Sequence, residues 1–133
     1  MTAGYSATPL ARKLSLKDGI SVWFHAMPDS VRAEIGDVAL DERDAPEAGL
    51  QAAHIFTARR DELERLLTDL RTRIDPAGFV WASWPKKASK VPTDITEDVI
   101  REICLPMGWV DVKVCAVDAI WSGLKLMIRK ELR

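Results

Sequence analysis

The stretch from residue 52 to residue 83 most constrains the fold, because it places a helical pattern between two strand-like segments. Residues 52–57 and residues 79–83 have the character of buried strands. Between them, apolar side chains recur at helical spacing: Leu63, Leu66, Leu67, Leu70 and Ile74. We expect residues 75–78 (Asp-Pro-Ala-Gly) to stop this helix and to turn the chain into the second strand. A strand, a helix and a strand in this order predict two parallel strands joined by a right-handed crossover.

A strand and a short helix are predicted before this unit. The strand covers residues 20–24, which are mostly β-branched and aromatic. The helix begins at Pro28, where a missing N–H loses nothing, and Gly36 ends it. Residues 37–50 are acidic and irregular, which predicts a solvated loop with a short edge strand near residues 38–40.

A loop and a second long helix are predicted after it. Residues 84–90 are expected to form the loop, because Pro85 cannot donate the backbone hydrogen bond that a central strand requires. Asp94 and Glu97 resemble a capping box at the start of the helix, and Gly108 closes it. The residues that this helix should bury are Ile95, Val99, Ile103 and Met107.

The last two strands complete the predicted fold. They lie near residues 110–117 and 123–128, and their short connection requires an antiparallel hairpin. The order β-α-β-α-β-α-β-β predicts an α/β fold: an open, mostly parallel, Rossmann-like sheet flanked by helices, with a C-terminal antiparallel hairpin. With 133 residues, we expect one domain at 1–133 whose first 18 residues form an N-terminal arm.

Composition and charge exclude several classes of function. The 19 basic and 20 acidic residues give a net charge of −1, so no broad positive field is expected to attract nucleic acid or anionic lipid. Two cysteines, Cys104 and Cys115, are too few for a disulfide framework or a Cys-based zinc site, and both are predicted to be small buried hydrophobes. No apolar run approaches a membrane span and no signal-peptide core is seen, so we expect a cytoplasmic protein.

From residue 52 onward the chain resembles the C-terminal half of a class I, S-adenosylmethionine-dependent methyltransferase. The similar features are the helix ending in residues 75–78, the strand Phe-Val-Trp-Ala-Ser at residues 79–83, and the helix ending in Gly108-Trp109 before a final hairpin. The resemblance implies a glycine-rich turn after the first strand and an acidic residue, which holds a ribose, at the end of the next. Residues 25–29 instead read His-Ala-Met-Pro-Asp, and residues 37–50 show no evident counterpart of the acid. The resemblance therefore predicts a methyltransferase-like fold, and it leaves open whether the chain binds the cofactor.

Five segments spread over most of the chain form a recognisable set: residues 4–10, 84–87, 93–98, 112–118 and 121–125. In these segments the chain is also similar to a small bacterial family, the domain of unknown function 3052. The resemblance implies a truncated methyltransferase-like fold and brings no activity with it.

A lysine-rich loop is the main candidate binding site. Lys86, Lys87 and Lys90 follow a predicted strand, and ligands of open α/β sheets collect outside the carboxyl ends of the strands. Trp84 and Trp121 could supply flat apolar contacts to a ring. These residues predict an anion pocket for a phosphate, a carboxylate or a nucleotide. The alternative is a solvated lysine loop with a half-buried Trp84.

Four further side chains are candidate functional groups: His25, His54, Ser83 and Asp118. His25, at the carboxyl end of the first strand, is the candidate catalytic base, and it could approach His54 if their strands are neighbours. His54 is more simply a strand histidine with satisfied hydrogen bonds, and Ser83 lacks the setting of a hydrolase nucleophile. Asp118 either caps the hairpin turn or faces the lysine loop as a ligand-orienting carboxylate. No spacing of histidines, cysteines or carboxylates indicates a metal site.

These observations predict a non-catalytic binding or regulatory module on a degenerate methyltransferase-like fold. The missing glycine-rich turn and the lack of a complete catalytic constellation favour it. One alternative is a protein or enzyme that binds an anionic small molecule, a nucleotide or a phosphate ligand, through residues 84–87. Another is an S-adenosylmethionine-dependent methyltransferase with an unusual cofactor loop. The expected partner is a small anion or a protein, with neither nucleic acid nor membrane, and the oligomeric state stays open.

Overall fold

Residues 8–133 are described by a computed structural model. Part of the expected N-terminal arm, and most of the segment 4–10 that resembles the bacterial family, lie outside these residues. The helices and strands are α1 (Leu10–Lys13), β1 (Ser21–His25), α2 (Asp29–Ile35), β2 (Asp41–Arg43), β3 (Leu50–Phe56), α3 (Arg60–Arg73), β4 (Ile74–Pro85), α4 (Glu97–Cys104), β5 (Trp109–Ala116) and β6 (Trp121–Ile128). Short 3₁₀ helices lie at Lys87–Ser89, Leu105–Met107 and Lys130–Leu132.

The strands form one six-stranded sheet in the order β2-β1-β3-β4-β6-β5. Three neighbouring pairs are parallel: β1 with β2, β1 with β3, and β3 with β4. Strand β6 is antiparallel to both β4 and β5, as the predicted C-terminal hairpin requires. The α/β class and the hairpin are confirmed, whereas the expectation of a mostly parallel sheet is only partly right.

Each face of the sheet is covered by one pair of helices. On the α3/α4 face, Leu67 and Ile100 pack against sheet residues such as Val80. On the α1/α2 face, Leu14 and Val31 belong to the core of the other side. The sheet therefore lies between two hydrophobic cores.

Helix α3 follows the predicted leucine periodicity, but it ends one residue earlier than predicted. Ile74 begins β4, so residues 75–78 lie within that strand instead of forming a stop and a turn. The pairing of β4 with β3 is irregular here, between Leu50 and Ala52. A Cβ on Gly78 would lie 2.6 Å from the carbonyl oxygen of Gln51, so only glycine permits this close approach.

Other element boundaries also differ from the sequence-based expectation: β6 begins at Trp121, two residues before the predicted strand at 123–128, because the connection of the hairpin is shorter than predicted. The edge strand is at Asp41–Arg43 instead of residues 38–40, and β4 continues through Pro85 instead of ending before a loop at residue 84. Pro85 is tolerated because it lies at the last position of the strand, opposite Trp121.

The beginning of α4 also differs. Its cap is Thr96, whose hydroxyl accepts the Val99 N–H at 3.2 Å, and the expected cap Asp94 instead accepts the Arg60 N–H at 2.7 Å. Gly108 has a φ of +98°, as the predicted left-handed helix end requires. No helix within residues 8–133 has the length and apolarity needed to cross a membrane.

Candidate functional site

Parallel strands bring several polar side chains to one edge of the sheet. Strands β1, β2, β3 and β4 run in the same direction and end at His25, Arg43, Phe56 and Pro85. We call this border the carboxyl edge. In open α/β sheets it is the usual place for a ligand.

The turn after β1 has the backbone conformation that glycine favours, although it contains no glycine. Ala26 is exposed and has a φ of +54°, in the left-handed region. Its methyl group is the smallest side chain after glycine. Met27 packs against the core of the α1/α2 face. The side chain expected to crowd a ligand at this turn is therefore directed largely into the protein.

An acidic residue stands directly after β2. Asp44 follows the last residue of that strand, Arg43, which pairs in register with Trp23 of β1. Asp44 is exposed, and among the described residues it has no hydrogen-bond or ion-pair partner. Sequence reasoning missed this residue because it placed the edge strand three residues too early.

A histidine and a carboxylate meet between β1 and the first turn of α3. The Nε2 atom of His25 lies 3.7 Å from Oε2 of Glu62, and both side chains are about one quarter exposed. The Thr57 hydroxyl donates to the other oxygen of Glu62, and Arg65 lies 3.8 Å from the same carboxylate. Glu62 is thereby held in place beside an accessible imidazole. This arrangement can orient the ring.

Glu62 was not singled out from the sequence as a partner of His25. The useful signal is topological: α3 begins four residues after β3, and β3 is the neighbour of β1. A helix that follows a neighbouring parallel strand returns across the same edge.

The two histidines do not approach each other, although their strands are neighbours. His25 pairs in register with Ile55, whereas His54 pairs with Phe24, so the two rings lie on opposite faces of the sheet. His54 Nε2 lies 2.6 Å from Ser83 Oγ. Burial lowers the pKa of His54 to about 3, so its imidazole is neutral near pH 7.

His54 was expected to have satisfied hydrogen bonds, and this is only half right. Its Nδ1 atom has no partner among residues 8–133, and its ring stacks on Phe56 with centroids 4.2 Å apart. The ring is sealed within the sheet core.

The two tryptophans of the predicted anion pocket lie on opposite faces of the sheet. Trp84 is only 8% exposed and packs in the core of the α3/α4 face. Trp121 contacts Phe56 edge-on on the other face, at a centroid distance of 5.3 Å. One ring ligand cannot lie between them.

The lysines of that segment are close to the end of β4. Lys87 and Lys90 line an open groove of about 440 Å³ together with Trp84. The Lys86 N–H donates to the carbonyl oxygen of Ile120 at 2.8 Å, which ties the segment to the β5–β6 hairpin.

Asp118 has the turn-capping contacts that the sequence suggested. Its Oδ1 atom accepts the N–H groups of Ile120 at 2.8 Å and of Trp121 at 2.7 Å. The carboxylate thus stabilises the hairpin turn beside Lys86.

Metal-binding and thiol chemistry find little support in the described residues. Residues 8–133 contain no group of three or more histidine, cysteine or carboxylate side chains that could hold a metal ion. Cys104 and Cys115 are both buried, as predicted. Burial raises the pKa of the Cys104 thiol to about 11 and also raises that of Cys115, so both stay protonated near pH 7.

Comparisons with known proteins bear on the fold. No family model and no curated protein matches the chain, so membership of the bacterial family stays a prediction. Fibrillarin of Methanococcus jannaschii, a pre-rRNA processing protein, is similar over 94% of this chain and 70% of its own, with a TM-score of 0.60 and 10% identity. Aeropyrum pernix fibrillarin, solved with natively bound S-adenosylmethionine, has a TM-score of 0.60 and 10% identity over 93% of this chain and 70% of its own.

A third structure agrees with these two. A TehB-like S-adenosylmethionine-dependent methyltransferase of Corynebacterium glutamicum matches 95% of this chain and 90% of its own, with a TM-score of 0.55 and 9% identity. The expectation of a non-catalytic binding or regulatory module is contradicted, because the chains that share this architecture include methyltransferases that use this cofactor. The anion-binding alternative gains no support from them. The chain has a methyltransferase-like α/β fold.

Proposed function

We propose that this chain is an S-adenosylmethionine-dependent methyltransferase whose cofactor binds at the carboxyl edge, across the ends of β1 and β2. The observation that carries the proposal is the position of Ala26 and Asp44, which directly follow the two paired strands β1 and β2. A left-handed turn with a minimal side chain and an unpaired carboxylate stand at the ends of two adjacent parallel strands. They occupy the positions where the methyltransferase resemblance implies a glycine-rich turn and a ribose-binding acid, with alanine in place of glycine.

The residues at this edge fit such a cofactor. The methyl group of Ala26 leaves the backbone of the turn open to close approach, and the Asp44 carboxylate can accept hydrogen bonds from ribose hydroxyls. Met27 packs against the protein core, so it leaves this approach largely free. When bound, the cofactor would supply an electrophilic methyl group.

His25 is the proposed proton acceptor. A nucleophile that gains a methyl group loses a proton, and an imidazole is suited to accept it near neutral pH. Glu62 is the positioning residue, because its carboxylate lies 3.7 Å from His25 Nε2 and is itself held by the Thr57 hydroxyl. His25 is the last residue of β1, one residue before Ala26, and Glu62 faces it from the first turn of α3.

The methyl acceptor would enter from the end of β4. The groove lined by Trp84, Lys87 and Lys90 opens at this end of the sheet, and β4 is the parallel neighbour of β3. The groove is therefore the proposed acceptor-binding surface.

Binding of S-adenosylmethionine and S-adenosylhomocysteine to the full chain tests the proposal. Either ligand at 100 times its dissociation constant should stabilise the fold by about 2.7 kcal/mol, a rise of several degrees in the thermal midpoint. Asp44→Asn should weaken binding about tenfold or more, since a charged acceptor is lost. Asp37→Asn is the matched control, because Asp37 is also an exposed acid but precedes β2, at the end of the strand opposite to Asp44.

Two results would contradict the proposal. One is the absence of any midpoint rise or calorimetric heat with both adenosyl compounds at millimolar concentration. The other is equal affinity of Asp44→Asn and Asp37→Asn for the adenosyl compounds. This result would show that the cofactor does not bind at the carboxyl edge.

A further inference from the structure

A cluster of positive charge lies on the α1/α2 face of the C-terminal hairpin. Lys113 of β5 and Lys125 of β6 stand directly opposite each other in the antiparallel pair, and Lys125 is in turn opposite Trp81, a core residue of that face. Lys13 of α1 lines the same groove as Lys113, with residues 114–116 as its other wall. The groove has a volume of about 280 Å³. We call Lys13, Lys113 and Lys125 the lysine cluster.

Lys125 is held in a fixed position within this cluster. Its Nζ atom donates to Ser15 Oγ at 2.9 Å and lies 4.6 Å from the centroid of the Phe79 ring. Ser15 follows α1 in the left-handed conformation, two residues after Lys13. The side chain is half-buried, and burial together with the charge of Lys113 lowers the pKa of Lys125 below its usual value.

A negative charge bound beside Lys113 and Lys125 would relieve the repulsion between them. Like charges directly opposite on neighbouring strands destabilise a sheet. None of the carboxylates in residues 8–133 forms an ion pair with any of the three lysines. The chain carries 20 acidic residues, so a scarcity of carboxylates does not explain this.

We propose that the lysine cluster binds a phosphate dianion, either free or as the terminal group of a phosphate monoester. Three ammonium groups can offset its double charge, and lysine binds phosphate as a point charge. The oxygen of Ser15 accepts from Lys125, which leaves its hydroxyl hydrogen free to donate to a phosphate oxygen. The inference does not depend on methyl transfer, because the groove lies between α1 and the hairpin and shares no residue with the turn after β1.

Calorimetric titration of the full chain with inorganic phosphate and with ribose 5-phosphate, in chloride buffer of constant ionic strength, tests this site. Lys113→Gln should weaken phosphate binding about tenfold or more, because one charge-assisted contact is lost. Lys113 is exposed, so the variant should fold. Lys130→Gln, at an exposed lysine of the C-terminal 3₁₀ helix, is the matched control and should keep the affinity of the unmodified chain.

Thermal unfolding without phosphate separates binding from a structural role. Lys113→Gln should raise the midpoint or leave it unchanged, since the repulsion with Lys125 is relieved, whereas a structural lysine would lower it on removal. Tighter binding of ribose 5-phosphate than of inorganic phosphate would identify the ligand as a phosphate ester. Equal binding of the two compounds would identify it as free phosphate. Absence of binding by both at millimolar concentration would overturn the proposal, and so would unchanged affinity in Lys113→Gln.

Discussion

The centre of the sheet and its carboxyl edge each hold a histidine, and their surroundings are opposite. His54 is 1% exposed, and its ring is closed in by Ser83 and a stacked Phe56. His25 is about one quarter exposed and faces the carboxylate of Glu62. Position along a strand therefore decides what a histidine can do. A ring inside the sheet stabilises packing, and a ring at the strand end stays available for chemistry.

Alanine at the two histidine positions should produce the largest contrast. His54→Ala should lower the free energy of unfolding by about 3 kcal/mol, because it opens a cavity beside Phe56 and leaves the buried Ser83 hydroxyl without its partner. His25→Ala should lower it by less than about 1 kcal/mol, since the contact of His25 with Glu62 is partly exposed and contributes little. Urea unfolding of both variants measures the difference. Equal losses at the two positions would remove the distinction between centre and edge.

The pH dependence of stability sharpens the same contrast. The pKa of His54 is about 3 in the folded chain against a usual 6.5, so between these values the unfolded chain binds a proton that the folded chain does not. The stability tied to this residue is fully present above the unfolded pKa. It is lost as the pH falls, at up to about 1.4 kcal/mol per pH unit.

Urea unfolding between about pH 7 and about pH 5 tests this linkage. The unmodified chain should lose stability more steeply than His54→Gln as the pH falls, whatever the absolute stability of the variant. His25→Gln is the control and should keep the steep slope. Parallel slopes in the unmodified chain and His54→Gln would show that His54 does not carry the effect.

The parts of the fold that the sequence predicted well have local signals. The leucine spacing of α3 and the short connection before Trp121 each need only a few consecutive residues to be recognised. Strand β2 has no such signal, because its three residues are all charged. It is stabilised by parallel pairing with β1, in which Asp41 lies opposite Ser21, and by the ion pairs of Arg43 with Asp41 and Glu47.

The sequence predicts a residue of the candidate site only where the position of that residue in its own strand is sufficient. The place of His25 at the end of a strand follows from the strand itself. The proposed roles of Asp44 and Glu62 depend on which strands are neighbours, and no local sequence pattern shows this. The left-handed turn at Ala26 was not predicted for another reason. Such turns are recognised in a sequence by glycine, and alanine rarely adopts this conformation.

Glycine at position 26 should have the smallest effect. Ala26→Gly relieves a left-handed conformation that costs an L-residue about 1–2 kcal/mol, and the greater freedom of glycine in the unfolded chain offsets about 0.4–1 kcal/mol of this gain. We expect a net stabilisation of about 0.5 kcal/mol in urea unfolding. Lys90→Gly is the matched control, because Lys90 has a φ of +62° at an exposed position after β4. Both variants should gain similar stability, and only Ala26→Gly should change the affinity for S-adenosylhomocysteine. An equal change in both, or in neither, would mean that the turn after β1 does not contact the cofactor.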